Sequence, residues 1–372
     1  MIKRIIIIAV NALCIIGFVV CLSVSASIQS SLRSQQAATA WAGQSGERFA
    51  QISVFFPEYH RFDENDLRRV RSNIDDTLLT ASLETAPMRR LHTDAWSAST
   101  EVSILDNHDM FTVNAMAVGG DFFIFNPMRL RDGSFLSPND IMHDRIVIDE
   151  ELAWRLFGAI RVAGFEVYIN YRPFVVAGVV ARETDFANSR AYTYGASLFM
   201  SFDMLTEMTG GEASINTYTI VMPDPISNFA YNAVVSAIQY DNVYMVENNT
   251  RFSLENTFAR IGTFGERSMR TDAIAFPYWE NAARFAEDWI ALLLVLALLF
   301  IVFPIICAII YGIILSRILF RLIKATILKK LDEREMRKYK DYALEHGLDP
   351  HIYDDEEEDD GEDENDIDDE DN

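Results

Sequence analysis

Residues 289–316 read WIALLLVLALLFIVFPIICAIIYGIILS and contain no charged side chain. A helix of about 20 apolar residues crosses the hydrocarbon core of a bilayer, so this stretch predicts a transmembrane helix. The alternative, a buried helix of a soluble protein, would need a large fold to cover such a length. Trp289 and Tyr278 are expected at the outer membrane interface, where aromatic rings are enriched. Pro304 is expected to kink the helix, because it removes a backbone donor.

A second apolar stretch lies near the N-terminus. Residues 5–32 carry no charged side chain, and Lys3 and Arg4 come directly before them. The stretch predicts a transmembrane helix over 5–28. The alternative is a cleaved signal peptide with its small-residue site at 24–26. The apolar run is longer than the usual hydrophobic region of a signal peptide, which favours a retained anchor.

Basic residues on one side of each span predict the orientation of the chain. The second span is followed by Arg317, Arg321, Lys324, Lys329, Lys330, Arg334, Arg337, Lys338 and Lys340. Basic residues are enriched on the cytoplasmic side, so residues 1–4 and the segment after 316 are expected in the cytoplasm and 29–288 outside the cell membrane. Residues 317–350 predict either a basic amphipathic helix on the inner leaflet or a plain helical extension of the span.

The net charge of −23 comes mostly from the C-terminal tail. Residues 354–372 hold fifteen acidic side chains and no basic one. Such a block of like charge cannot bury apolar surface, so 351–372 are expected to be disordered. The rest of the chain is also mildly acidic, and phosphate contacts need a basic face, so nucleic acid is not an expected partner.

The segment between the spans begins with a β-α-β pattern. Residues 50–55 predict a strand, and Asp63 or Asn65 is expected to cap a helix that runs to about Ala81. A second extended stretch covers 93–105. The helix is predicted by apolar residues at helical spacing, which are Leu67, Val70, Ile74, Leu78 and Leu79.

The same order of elements returns late in this segment. Residues 215–222 predict a strand, Ser227 is expected to cap a helix to about Ile238, and 242–248 predict a further strand. A strand-rich insertion of about 100–205 separates the two halves. The predicted fold class is therefore an α+β extracytoplasmic domain, with split ferredoxin-like β-α-β halves, between two transmembrane α-helices.

The insertion contains one well-defined local unit at 145–158, RIVIDEELAWRLFG. Residues 146–148 predict a strand, and Asp149 with the two glutamates after it predicts the first turn of a helix, where negative charge meets the helix dipole. Gly158 is a natural C-cap. The alternating residues that follow, 165–180, predict a hairpin whose turn is Asn170-Tyr171-Arg172-Pro173. Gly119 and Gly120 are expected to allow a tight turn.

Residues 115–182 resemble the MacB-like periplasmic core domain of MacB/FtsX-type ABC permeases. Their order and spacing carry the resemblance together, through Gly120, Phe122, Phe123, Gly133, Phe135, Asp140, residues 146–150, Ala153, Leu156, Phe157, Gly158, Gly164, Val175, Val176, Gly178 and Val179. The resemblance implies that the glycines serve turns and that the Phe and Leu side chains serve the core. It carries over no catalytic residue.

The resemblance also implies a function. The implied protein is a non-catalytic, permease-like membrane subunit, which exports a substrate or transmits force and depends on a separate cytoplasmic ABC ATPase. Permeases of this kind have three further spans after the external domain, whereas one is visible here, so a second membrane subunit is an expected partner beside the lipid bilayer. The alternative is a membrane-tethered binding or sensing module without transport activity.

The sequence contains no motif for enzymatic chemistry. It lacks a G-x-x-x-x-G-K-[ST] phosphate loop, a G-x-S-x-G elbow and an H-E-x-x-H pair. No catalytic, cofactor or metal site is therefore predicted. The three cysteines lie inside the apolar stretches, so no disulfide framework is available to the external domain. Asn248-Asn249-Thr250 matches a glycosylation sequon, a triplet that also occurs by chance.

Overall fold

The computed structural model describes residues 2–83, 90–106, 109–138, 140–191, 197–263, 270–271 and 273–346. The predicted acidic tail, 351–372, lies outside the described residues. The chain divides into two compact units. One is Ile16–Leu299, and the other comprises Met1–Ile15 and Phe300–Asn372. The functional features considered below all belong to the unit Ile16–Leu299.

Ten α-helices and a 3-10 turn lie in the described part of the chain. The helices are α1 (Ile2–Ser31), α2 (Ala37–Ala42), α3 (Glu64–Thr80), α4 (Phe122–Phe125), α5 (Glu150–Phe157), α6 (Asn188–Ala191), α7 (Phe202–Met208), α8 (Phe229–Ala237), α9 (Leu254–Ile261) and α10 (Tyr278–His346). The 3-10 turn is Arg33–Gln35.

The main sheet has ten strands among the described residues, and a short two-stranded sheet accompanies it. The strands are β1 (Phe49–Phe55), β2 (Thr93–Asp106), β3 (Asp109–Gly120), β4 (Leu130–Gly133), β5 (Arg145–Asp149), β6 (Glu166–Ile169), β7 (Arg172–Val180), β8 (Leu198–Ser201), β9 (Thr217–Pro223), β10 (Tyr244–Glu247), β11 (Arg270–Thr271) and β12 (Ile274–Ala275).

Strands from both ends of the external segment lie side by side in the main sheet. Its order is β10-β1-β9-β2-β3-β8-β5-β7-β4, and β6 pairs with β2 and β7. Strand β1 is antiparallel to β10 and β9, and β9 is antiparallel to β2. Strand β2 is long: its first residues pair with β9, and nearly its whole length pairs with β3 in a hairpin to which β8 of the insertion adds. The result is a mixed α/β domain on one continuous sheet.

The two faces of the sheet bury two different cores, because neighbouring side chains of a strand point to opposite faces. On one face, α3 packs against α8. Tyr218 and Ile220 of β9 point into this first core, whereas Val221 points into the second core on the other face. The second core also contains the start of α10, through Trp279 and Ala283.

Helices α1 and α10 are long and apolar enough to cross a membrane. Helix α10 begins at Tyr278, well before the predicted span, and continues through Pro304 and the basic segment to His346. Tyr278 is buried in the second core, so the expectation that it lies at the membrane interface is wrong. Trp289 is 38% exposed.

Local sequence signals place several helix ends. Asp63 caps α3 in a capping box with Asp66. Asp149 caps α5 by accepting from the Leu152 amide at 2.7 Å, and Gly158 ends that helix in the left-handed conformation. The predicted N-cap of α8 is wrong. The N-cap of α8 is Asn228. The hydroxyl of Ser227, the predicted N-cap, instead accepts a hydrogen bond from Arg48.

The predicted hairpin of 165–180 is present as β6 and β7, but its turn is shorter than expected. Asn170 and Tyr171 alone form the turn, with φ values of 48° and 64°. Arg172 and Pro173 already pair with β6. Two central residues with positive φ form the tight turn whose twist matches that of the flanking strands, and this displaces the proline into the strand.

Candidate functional site

Four charged side chains meet where α10 enters the external domain. Arg251 follows β10, Arg260 lies on α9, and Glu280 and Glu287 lie on α10. Together with Gln35 they form a cluster that we call the ionic junction. The side chains of Arg251, Glu280 and Glu287 are at most 3% exposed. Buried charges are rare unless they are paired, so the junction is the most unusual chemical feature of the domain.

Arg251 is the centre of the ionic junction. Its two terminal nitrogens donate to both oxygens of Glu280 at 2.6 Å each, a bidentate pair. Its Nε donates to Glu287. The other oxygen of Glu287 lies 3.2 Å from Nε of Arg260. Bidentate guanidinium–carboxylate pairs fix orientation as well as supplying energy, so the junction sets the rotation of α10 against the domain.

The geometry of α10 explains why both carboxylates reach one arginine. Glu280 and Glu287 are seven positions apart, close to two turns of an α-helix, and therefore lie on the same face. The turn that carries Arg251 is held by β1. The Asn248 amide donates to the Gln51 carbonyl at 2.9 Å, and the Gln51 amide donates to the Asn249 side chain at 2.8 Å.

Burial and the neighbouring charges shift the pKa of Arg251 in opposite directions. Burial by itself would lower the pKa of this guanidinium, because it penalises the charged form. The carboxylates of Glu280 and Glu287 outweigh that effect and raise the pKa above its ordinary value. Arg251 is therefore charged at every physiological pH, and the junction does not release its proton.

Gln35 connects the ionic junction to the segment that follows α1. Its side-chain oxygen accepts from Arg251 at 3.2 Å and from Asn248 at 2.9 Å. Gln51 holds the same segment by donating to the Ser34 carbonyl at 2.7 Å. Asn248 is 3% exposed, so the sequon at 248–250 presents a buried amide rather than an accessible glycosylation site.

A second charged region lies near the end of α1. A cleft of about 390 Å³ is lined by Ser27, Ser30, Ser31, Arg33, Arg129, Ala181, Arg182, Glu183, Thr184 and Asp185. Burial and the neighbouring charge of Asp185 raise the pKa of Glu183 to about 7, although Arg33 opposes the shift. Glu183 therefore titrates close to neutral pH.

A third polar region contains a serine, a histidine and an aspartate, but in a non-catalytic arrangement. The Ser201 hydroxyl lies 3.2 Å from Nδ1 of His143, and a carboxylate oxygen of Asp203 lies 3.5 Å from the same nitrogen. A catalytic triad needs the serine and the acid on different ring nitrogens. These residues line a cleft of about 280 Å³ together with Arg71 and Trp96.

The glycines selected by the sequence lie at close approaches and in left-handed backbone. A Cβ at Gly119 would lie 2.2 Å from the Trp96 ring, and one at Gly120 would lie 2.4 Å from the Asp94 carbonyl. The pair therefore makes room for Trp96 at the end of β3, rather than serving a tight turn alone. A Cβ at Gly133 or Gly178 would meet backbone of the opposing strand at 2.1 or 2.4 Å.

The remaining residues of the predicted motif are distributed between the two cores. Phe122 is 2% exposed in the second core. Phe123 and Phe135 pack against this core and stack on each other, with ring centroids 4.6 Å apart. Ala153 is fully buried in the first core, with Leu156 and Phe157 packed against it. Gly164 has a φ of 91°. None of the described members of the motif belongs to the ionic junction.

Sequence reasoning missed the ionic junction. One signal was available, the two glutamates at helical spacing in YWENAARFAED before the apolar run. Nothing in the sequence near Arg251 indicates that it is their partner. Among the described residues, no group of three or more His, Cys, Asp or Glu side chains is placed to hold a metal ion.

A comparison with known protein families identifies the family of this chain. The model of the MacB-like periplasmic core domain matches residues 5–239, more than half of the chain. The chain belongs to this family. The resemblance drawn from residues 115–182 is thereby confirmed. With its two apolar helices, this member of the MacB-like periplasmic core domain family is a membrane protein with an extracytoplasmic domain.

Solved structures similar to this chain include the periplasmic region of MacB from Actinobacillus actinomycetemcomitans. It is 17% identical, with a TM-score of 0.41, and the match covers 55% of this chain and 92% of that one. The extracellular domain of the noncanonic ABC-type transporter YknZ from Gram-positive bacteria is 13% identical, with a TM-score of 0.36, over 53% and 99% of the two chains. No curated protein sequence matches this chain significantly.

Proposed function

We propose that this chain is a permease-like, non-catalytic membrane subunit of an ABC-type assembly for export or mechanotransmission. It depends on a separate cytoplasmic ATPase and on a second membrane subunit. The family of the external domain supports an ABC-type permease role. The ionic junction is the observation that carries the proposal, because it attaches the external domain rigidly to a helix that continues into the membrane.

The physical argument concerns the transmission of motion. Apolar contacts are non-directional, so a helix held only by them can rotate and slide at small cost. The bidentate pair between Arg251 and Glu280 is directional, and Glu287 repeats the constraint two turns along α10. A rotation or shift of α10 would have to separate buried charges, which is costly. The external domain therefore follows the helix as one body.

We also infer that both termini lie in the cytoplasm and that the domain is built on split ferredoxin-like halves. The basic residues that follow the second apolar stretch support the orientation. The strand order β10-β1-β9-β2, with α3 packed against α8, supports the split halves. In that arrangement the two β-α-β units contribute alternate antiparallel strands to one sheet.

Site-specific crosslinking in intact cells tests the assembly and its orientation together. In a chain whose three cysteines are replaced, a photoreactive group is attached at Leu331→Cys on α10, a side chain that is 49% exposed. The matched control is Tyr171→Cys at the β6–β7 turn, which is 74% exposed. We expect an ATPase with a phosphate-loop motif to be captured from position 331 and not from 171, with a longer membrane subunit in the same gentle-detergent extract.

The opposite outcome has a definite meaning. If position 331 captures no ATPase and 171 captures only external proteins, the assembly proposal is wrong. The second candidate, a tethered binding or sensing module, is then favoured. One observation supports that second function, namely the 280 Å³ cleft lined by Arg71, Trp96 and His143, which offers charge and aromatic surface to a small ligand. Ligand binding to the full chain without any partner would identify it.

A further inference from the structure

Helix α9 exposes a compact apolar face. Leu254 and Phe258 are 69% and 49% exposed, and they are four positions apart, so they lie side by side on one face. Ile261 continues this face by one more turn. Two large apolar side chains exposed together on an eight-residue helix are unusual for a surface in contact with water, whereas single exposed apolar residues are common.

The position of α9 along the apolar helices indicates what covers this face. An apolar groove of about 200 Å³ separates α9 from both helices that can cross the membrane. Its walls include Cys21 and Leu22 of α1, Leu293 and Leu294 of α10, and Phe252 and Leu254 beside and on α9. Leu254 of the exposed face therefore borders the same groove as apolar side chains of the two spans.

The depth of the groove places α9 at a membrane interface. Leu293 and Leu294 lie four and five positions beyond Trp289, the first residue of the uncharged stretch. At about 1.5 Å rise per residue, this is roughly 6 to 8 Å along the span. Interfacial helices bury their apolar face about 5–10 Å into the boundary between head groups and acyl chains. The distance of the groove beyond Trp289 therefore matches the usual insertion depth of an interfacial helix.

The polar side of α9 is fixed to the protein. Thr257 is buried, and Arg260 reaches back to Glu287 in the ionic junction. Glu255 and Ala259 are exposed and lie about 100° around the helix from Leu254 and Phe258. This division into an apolar and a polar face is the pattern of a helix that lies in the plane of a membrane interface.

An aromatic group lies at the start of the uncharged stretch of α10. Phe186 is 38% exposed and packs edge-on against Trp289, with ring centroids 5.3 Å apart. Arg190 lies over the Phe186 ring at 4.5 Å. Aromatic rings beside a basic side chain are enriched at the level of lipid head groups. Phe186 thus gives the domain a second apolar contact near the start of the uncharged stretch of α10.

We propose that α9 is an interfacial helix that inserts Leu254 and Phe258 into the outer leaflet of the bilayer crossed by α1 and α10. The partner is the lipid surface itself. Because Arg260 ties α9 to Glu287, the ionic junction lies directly above the outer leaflet and is shielded there from water. This inference needs only the two spans and does not depend on any ATPase partner.

Fluorescence quenching in the full-length chain tests the insertion. The native cysteines are replaced, and an environment-sensitive dye is attached either at Phe258→Cys or at the adjacent Ala259→Cys. Each protein is reconstituted alone in phosphatidylcholine vesicles that contain lipids with a nitroxide near the head of the acyl chain. We expect the dye at 258 to be quenched at least threefold more strongly than the dye at 259, and to emit further to the blue.

Both sites are exposed on the same helix, so labelling is expected to leave the fold unchanged, and thermal unfolding of each labelled chain verifies this. Equal quenching at 258 and 259, or stronger quenching by aqueous iodide at 258, would overturn the proposal. Blue-shifted emission at 258 without lipid quenching would also overturn it, because it would mean that a second copy of the chain covers this face. Dilution of the protein in lipid then restores the aqueous spectrum.

Discussion

The two apolar helices are joined to the external domain in different ways. Ile28 in the last turn of α1 and Leu32 directly after the helix both lie in the second core. The Ser31 hydroxyl adds only a 3.5 Å contact to Asp185. Helix α10, by contrast, places Glu280 and Glu287 against Arg251 in the ionic junction. The contacts of α1 itself are therefore mainly apolar, whereas α10 adds directional buried charge to the apolar packing of Trp279 and Ala283.

This difference distinguishes a contact that stabilises the domain from a contact that also fixes the orientation of its helix. Burial of Leu32 stabilises the α1 junction, but many helix rotations would bury the same apolar area. Separation of Arg251 from Glu280 would leave charges in a low-dielectric environment, so the α10 junction tolerates only one arrangement. If helix motion moves the external domain, we expect α10 to transmit that motion to the domain. We expect α1 to change its orientation against the domain in response.

Substitution of Arg251 should have the largest effect on this comparison. Arg251→Met removes the cation shared by two buried carboxylates, which is expected to cost about 3–5 kcal/mol of unfolding free energy at pH 7. Urea unfolding of the full chain in detergent, followed by near-ultraviolet circular dichroism, measures this cost.

A surface ion pair provides the control for this prediction. Arg172 lies 2.7 Å from Glu207, with side chains that are 48% and 63% exposed. Arg172→Met is expected to change the unfolding free energy by less than about 1 kcal/mol, because water screens exposed pairs. A loss below 1 kcal/mol for Arg251→Met as well would show that the ionic junction does not hold α10.

Truncation at the α1 junction should have the next largest effect. Leu32 is 1% exposed, so Leu32→Ala should cost about 2–4 kcal/mol through lost burial and the remaining cavity. This loss should not depend on pH, because neither leucine nor alanine has a titratable side chain. Ser31→Ala is the neighbouring control and should cost less than about 0.5 kcal/mol. A larger loss for Ser31 than for Leu32 would contradict the apolar nature of this junction.

The smallest expected effect concerns Glu183, beside the end of α1. Its pKa is raised from 4.5 to about 7 in the folded chain, so ionisation disfavours folding. Below about pH 4.5 both states are protonated, and Glu183→Gln should change nothing. The unfolding free energy of Glu183→Gln, relative to that of the unsubstituted chain, should rise between pH 4.5 and 7 and then level off. After allowance for partial exposure of the side chain, the final difference should be about 2 kcal/mol. A constant difference across this range would mean that Glu183 has an ordinary pKa.

Much of the fold could be predicted because its signals are local. Asp63 and its capping box start α3, and Asp149 and Gly158 delimit α5, each within a few residues of the helix it caps. The errors also have local causes. Asn228 replaces Ser227 as the N-cap of α8, where the Asp224 side chain accepts from the Ala230 amide in the first turn. Tyr278 is aromatic and precedes an apolar run, yet tertiary contacts bury it.

The sequence by itself determined the two apolar helices, the β-α-β pattern and the family, because periodicity, length and glycine spacing are properties of short segments. The tertiary structure alone decided the ionic junction, since Gln35, Arg251 and Glu280 are far apart in the chain and only the β1–β10 pairing and the docking of α10 bring them together. It also decided which apolar side chains remain uncovered on α9. Burial depends on what folds back over a residue, and no local pattern encodes that.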